Sequence, residues 1–131
     1  MYLLDTNIIS FFVKGNQGVV KKMTSVDTNE LFSSVLVYGE CFAGLKNADL
    51  LKKYEQFYNG FFDEITLLDF DLVAAKEFVN HKQKLTEKGK IIETADLIIA
   101  CTALANNLIL VTNNTKHFGR IEGLQVEDWT K

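Results

Sequence analysis

Short, unbroken apolar runs alternate along this chain with longer stretches whose apolar residues recur at helical spacing, and that alternation limits the folds open to it. Tyr2–Leu4, Leu31–Ser34, Ile65–Leu68 and Leu108–Val111 read as strands, with Gln125–Val126 as a short last one. Runs this short, apolar on successive residues, belong to strands buried on both faces rather than to half-exposed antiparallel ones. Between them, Thr6–Lys14, Gly18–Val26, Val35–Lys46, Asp49–Phe61, Asp71–Lys88 and Thr94–Asn107 are expected to be helices. The chain has no proline, so glycine and Asn/Asp supply the breaks, Gly15 and Gly89 stopping the first and fifth helices. Strands joined by helices imply an α/β fold, a parallel sheet of about five strands covered on both faces. The length of 131 residues predicts one domain spanning 1–131. In such sheets ligands bind outside the carboxyl ends of the strands, and the polar residues there become the first candidates for chemistry.

Several function classes are disfavoured at once. With 47% hydrophobic and 24% charged residues the chain has enough apolar surface to offset chain entropy, so disorder is not expected. No apolar run reaches the roughly 18 residues that span a bilayer. The N-terminal stretch carries Asp5 and lacks leading basic residues, unlike a signal peptide, and a cytoplasmic location is expected. Cys41 and Cys101 lie in apolar helical patterns and read as reduced, buried small hydrophobes. His81 and His117 are far apart and no Cys/His spacing suggests zinc. The net charge of −3 argues mildly against a polyanionic partner. Lysines and arginine do gather at Lys82, Lys84, Lys88 and Lys90, at Lys46, Lys52 and Lys53, and at Lys116 and Arg120. A solvated helix face accounts for such groups unless they rim the same cleft as the acids.

Two strand ends carry unusual polar residues. The first ends in Asp5-Thr6-Asn7 and the LILV strand in Thr112-Asn113-Asn114. Helix capping or a turn accounts for either one taken alone. Glu40 has Leu36, Val37, Ala43 and Gly44 as its helical neighbours, an apolar face that is expected to turn it inward. A buried ionised carboxylate is costly unless paired or metal-bound. Asp96 opens the most apolar helix, where the helix dipole alone would favour an acid, and Glu93 one turn earlier fits the same role. If Asp5, Glu40 and Asp96 converge, they share one strongly negative pocket. Two carboxylates about 5 Å apart repel by roughly 3 kcal/mol at an effective dielectric near 20. Proton uptake relieves that repulsion, and a hard divalent cation relieves it better, with oxygen ligands selecting Mg²⁺ or Mn²⁺ over zinc. Such a cation suits phosphoryl chemistry on water. No phosphate-binding G-x-x-x-x-G-K-[ST] loop and no local Ser-His or Cys-His nucleophile competes with this reading.

The stretches LLDTNIIS (3–10), SSVLVYGECFAGL (33–45), ADLIIACTALANNLILVTNN (95–114) and F-x-R-I-x-G-L-x-V-E-D-W (118–129) resemble a PIN domain, and among these the toxin of a bacterial VapBC toxin–antitoxin pair. The resemblance covers nearly the whole chain in order and spacing. It implies the PIN-like three-layer fold and a homodimer. It implies a Mg²⁺-dependent endoribonuclease, Mn²⁺ able to substitute, that cleaves RNA, most plausibly tRNA. It also implies inhibition by a small VapB-type antitoxin whose tail enters the active-site groove, in a heterotetramer or larger assembly. Asp5 and Asp96 match the family's principal metal-binding acids and Glu40 its third. Thr6 and Asn7 match residues that orient the first acid, and Thr112 the polar residue after the LILV-type strand. Asn114 stands where many PIN domains carry a fourth acid, which reduces the charge available to a second metal. Glu93 is an acid where a neutral residue is expected.

Two other classes remain open on the residues themselves. An Asp at the end of a first strand also serves aspartyl-phosphate receivers and phosphatases, though these need a lysine at a later strand end, where this chain has T-N-N. The aromatic-rich helix over Asp49–Phe61 would suit a non-catalytic interaction module, or a core or dimer face.

Overall fold

A computed structural model describes all residues 1–131. Strands β1 (Tyr2–Leu4), β2 (Leu31–Ser34), β3 (Thr66–Leu68), β4 (Ile109–Val111) and β5 (Val126–Glu127) form one parallel sheet in the order β3-β2-β1-β4-β5. Seven helices flank it: α1 (Thr6–Val13), α2 (Gln17–Ser25), α3 (Val35–Ala43), α4 (Ala48–Glu64), α5 (Leu72–Glu87), α6 (Thr94–Ala105) and α7 (Thr115–Phe118). The predicted α/β architecture is therefore the observed one.

Polar side chains start the helices that proline does not. Asn16, Ser34, Asn47 and Asp71 each accept a hydrogen bond from the backbone N–H three residues on, at 2.9–3.1 Å. Such a cap is worth about 1 kcal/mol. Gly15, at φ 82°, ends α1 in the left-handed region that L side chains avoid, as the sequence suggested. Helix α4 runs on to Glu64, three residues past its expected end. A 3-10 turn over Thr28–Glu30 and the helix α7 were not expected, being too short to show periodicity.

The core follows from the apolar runs. Leu3, Leu4, Leu110 and Val111 are buried in the two middle strands, and α6 buries Leu97, Ile99, Ala100, Cys101 and Ala103 around its circumference. A helix apolar all round has to be covered on more than one side, and α5 packs along it. The C-terminal segment is also seated. Trp129 meets Tyr2 edge-on, ring centroids 5.1 Å apart, and its Nε1 donates to Glu127 Oε1 at 3.0 Å. Its carbonyl lies so near Gly18 that a Cβ there would approach it to 2.8 Å. No helix is long and apolar enough to cross a membrane.

The strand order positions the site. From β1 the chain moves outward through β2 to β3, then returns to the opposite side of β1 as β4 and moves out again to β5. The connections leaving the two middle strands diverge, which opens a crevice at the carboxyl ends of β1 and β4. The register Leu4↔Val111 sets Asp5 beside Thr112 at its mouth.

Candidate active site

Asp5 follows β1 directly and caps α1, its Oδ1 accepting from the Thr6 N–H at 2.8 Å. Its Oδ2 accepts from the Thr112 hydroxyl at 2.8 Å, across the crevice from the end of β4. The capping role and the strand-end role are thus held by one side chain. Thr112 in turn accepts from the Asn114 N–H at 3.1 Å. On the other side, the Thr6 hydroxyl donates to Glu40 Oε1 at 2.5 Å, which ties α1 to α3. A continuous hydrogen-bonded chain therefore links Glu40, Thr6, Asp5, Thr112 and Asn114, residues separated by more than a hundred positions.

The electrostatics show what this arrangement costs. Asp5 is only 6% exposed. Burial, opposed by the bonds from Thr112 and Thr6 and reinforced by the charges of Asp96 and Glu40, pushes its carboxyl up to about 6. Asp96, in the first turn of α6, is half-buried and also held above its ordinary range, by burial first, then by the charges of Glu93 and, more weakly, Glu40, against the attraction of His117. Each of the three acids singled out in the sequence thus enters one electrostatic neighbourhood. They are not closed up as a ligand shell, since no three Asp, Glu, His or Cys side chains stand close enough to hold an ion among them.

That geometry suits one kind of cation. Mg²⁺ keeps several waters and is bound through one or two carboxylates together with substrate phosphates, rather than by an all-protein cage. The donors here are oxygens throughout, and each oxygen of Asp5 is engaged by one protein donor, leaving it further lone-pair capacity. The residues fit a hard, partly hydrated divalent ion.

Other expectations are corrected in detail. Glu40 is half-buried, but Ala43 and Gly44 beside it are exposed, so it looks into the crevice and not into a closed apolar face. Asn7 is exposed and donates to Asn113 Oδ1 at 3.3 Å, which closes the rim of the crevice without touching an acid. Glu93 is exposed and makes no capping bond, yet its charge reaches Asp96. Asn114 stands at the start of α7 without capping it, its Nδ2 lying 3.1 Å from His117 Nδ1.

Two clefts of about 420 and 300 Å³ share Asn7, Ser10 and Lys14; the larger is also lined by Thr6 and Glu40, and neither is lined by Asp5 or Asp96. None of the lysine groups picked out in the sequence lines either cleft. Lys84 pairs with Glu122 at 3.5 Å, and Arg120 donates to the Ile91 carbonyl at 3.0 Å. The cation in the clefts is Lys14, which sequence reasoning missed. Its signal is its place nine residues after Asp5, at the end of α1 on the Asn7–Ser10 side.

The cysteines behave as expected. Both are free and buried, and burial drives each thiol up to about 12. Most of the aromatic residues of α4 serve the core, Tyr58 and Phe62 packing on Phe42, although Phe57 stays exposed.

The PIN domain family model matches residues 2–124. The tRNA(fMet)-specific endonuclease VapC of Shigella flexneri is 30% identical to the chain over 98% of each protein. The chain is a PIN domain of the VapC ribonuclease family. A second relative of this PIN domain, ribonuclease VapC1 of Haemophilus influenzae, is 32% identical over 100% of the chain and 99% of its own length. The fold agrees as closely. The VapC-type PIN domain superposes with a TM-score of 0.88, at 30% identity and 98% coverage of both chains, on a chain in the crystal structure of VapBC2 from Rickettsia felis bound to a promoter DNA fragment. PIN-domain nucleases as a class depend on a divalent metal.

Proposed function

We propose that this chain, a single PIN domain over residues 1–131, is the toxin of a type II toxin–antitoxin pair and cleaves RNA at phosphodiester bonds with Mg²⁺ as its metal. The observation that carries the reading is Asp5: a carboxylate buried at the junction of β1 and β4, bonded to Thr112 and pressed by the charges of Asp96 and Glu40. A protein gains nothing in stability by gathering such acids, and a divalent cation accounts for their being together.

Asp5 and Asp96 would hold the ion, with Glu40 binding it directly or through water. Bound there, the ion supplies positive charge to the scissile phosphate and lowers the pKa of water to the range where it attacks near neutrality. The chain's own groups do the rest. The Thr6 N–H and Thr112 hydroxyl fix both oxygens of Asp5, so that its orientation is set before substrate arrives. The Thr6 hydroxyl holds Glu40 toward the same pocket. Asn7 and Asn113 brace the rim, and the Asn114 N–H donates to the Thr112 hydroxyl that holds Asp5. Lys14 offers the clefts a cation for an RNA phosphate.

The names of its relatives support tRNA as the substrate, and the VapBC complexes among its structural neighbours support a VapB-type antitoxin as the partner. The reading includes a cytoplasmic homodimer that becomes a heterotetramer or larger with antitoxin. An aspartyl-phosphate reading has no support in the site, because it needs a lysine at a later strand end, where β4 runs instead into Thr112-Asn113-Asn114. Asp5→Asn protein that folds but no longer cuts RNA in the presence of Mn²⁺ is the expected result. Full activity in that variant would dismiss the assignment.

A further inference from the structure

We propose that the larger of the two clefts is a nucleobase subsite: it takes the base of an RNA nucleotide next to the scissile phosphate, with Tyr54 as the stacking surface and the Tyr58 hydroxyl meeting the base edge. This rests on the RNA-cleaving reading above and deepens it from phosphate chemistry to the choice of substrate.

The cleft begins where the acids end. Glu40 and Thr6 line one end of it, and Thr6 is the residue that joins Glu40 to Asp5. Helix α4 supplies Leu50, Tyr54 and Tyr58 to the same cleft. Its volume of about 420 Å³ lies in the range of pockets that enclose small organic ligands.

Its walls are of two kinds. Tyr54 is half-buried and Leu50 exposed, an aromatic and aliphatic surface that phosphate binding alone would not need. Tyr58 packs its ring on Phe42 and is only 7% exposed, yet its hydroxyl has no hydrogen-bond partner in the chain. No side-chain oxygen or nitrogen that is itself buried lacks a partner, so this hydroxyl reaches open space, and the cleft is where the residue opens. The Ser10 hydroxyl, in the same cleft, is likewise unpartnered. Lys14 lines the cleft too and makes no ion pair within the chain. Lys53 does not line it; its Nζ, 5.2 Å from the centroid of the Tyr54 ring, adds positive charge beside it.

A ligand that satisfies these walls has a flat π face, a polar edge and an attached anion. An unpaired RNA base on its phosphate has all three, and such bases are recognised by stacking on aromatic side chains with hydrogen bonds along their edges. A phenol both donates and accepts, so Tyr58 can meet a carbonyl, a ring nitrogen or an amine of the base. Inorganic phosphate would leave the aromatic wall unused, and an aliphatic side chain would leave both hydroxyls unpaired.

The probes are AMP, CMP, GMP and UMP, with ribose 5-phosphate as the control that keeps the phosphate and lacks the base. In NMR titrations of wild-type protein, at least one of the four is expected to shift the ring signals of Tyr54 and Tyr58 and to bind more tightly than ribose 5-phosphate. Stacking on an aromatic residue is worth roughly 10-fold to 100-fold in affinity. Tyr54→Ala should lose that margin, and raise KM for RNA more than it lowers kcat, while Tyr54→Phe keeps both. Tyr58→Phe should change the ranking of the four nucleotides without unfolding the protein. No base-bearing nucleotide tighter than ribose 5-phosphate, shifts confined to residues away from the cleft, or unchanged nucleotide binding by Tyr54→Ala overturns the proposal. Tyr54→Ala that handles nucleotides and RNA as wild type does but loses affinity for a VapB-type antitoxin assigns the cleft to a protein partner and overturns it as well. Wild-type protein that binds nucleotides at these tyrosines but cuts no RNA would instead overturn the ribonuclease reading and leave the base subsite standing.

Discussion

Replacing Asp5 with Asn should make the metal-free protein more stable while abolishing its activity. The magnitude follows from the carboxyl itself. Its pKa rises from 3.8 to about 6, and at about 1.4 kcal/mol per pH unit the ionised form costs the fold about 3 kcal/mol. The sign is set by proton binding. The unfolded chain releases this proton near pH 3.8 and the native chain holds it to about 6, so the native state binds more protons in between. Stability therefore falls as pH rises through that window, and the full cost is present above it. Asn removes the charge and keeps the shape. Its NH₂ can donate to the Thr112 oxygen, and the one imperfect exchange costs about 1 kcal/mol. A net gain of about 2 kcal/mol remains, or about 8 °C in melting temperature for a chain of this size. Thermal and urea unfolding in chelator at pH 8 and pH 4 measure it. The gap is expected at pH 8 and should close toward pH 4. Added Mn²⁺ should raise the wild-type midpoint and leave the variant unmoved. A variant no more stable than wild type at pH 8, or a gap that persists at pH 4, would refute the reasoning.

Thr112→Val removes the only side-chain donor to Asp5 and keeps the volume; a hydrogen bond to a charged group is worth about 1.5–3 kcal/mol, so Mn²⁺-supported cleavage should fall roughly tenfold to a hundredfold with the fold retained by circular dichroism. Lys14→Ala should raise KM for RNA more than it lowers kcat, and the log–log dependence of RNA affinity on salt should lose about one unit of slope if this lysine meets one phosphate. Cys41 and Cys101, buried and driven up to about 12, should resist a thiol reagent at pH 8 in native protein and react fully in guanidinium; rapid native labelling would contradict their burial.

The parts of the molecule that the sequence made legible are those whose signal is local. Leu3, Leu4, Leu110 and Val111 are apolar because both faces of their strands are covered, and that requirement is written in consecutive residues. Asp5 was visible because a charged residue directly follows such a strand. Glu40 was visible for a partly wrong reason: the apolar neighbours that suggested a buried face include the exposed Ala43 and Gly44, and its actual partner, the Thr6 hydroxyl, comes from another helix. Lys14 and His117 could not be ranked from sequence. Each is an ordinary polar residue near a helix end; Lys14 shares the Asn7–Ser10 side of α1 and His117 lies one turn beyond Asn114, but only the strand order brings Lys14 to the cleft with Asn113 and His117 into the field of Asp96. The basic groups that attracted attention were run-like in sequence, but two of their members are engaged at Glu122 and Ile91, away from the acids.

Growing crystals in Mn²⁺ and locating the ion by anomalous scattering examines the metal site without any inference from activity. A peak is expected at the crevice between β1 and β4, about 2.1 Å from carboxylate oxygens of Asp5 and Asp96, the distance typical of a hard ion of this size. Scattering that is absent there, or found only among other side chains, would contradict the claim that these acids are gathered to hold a cation.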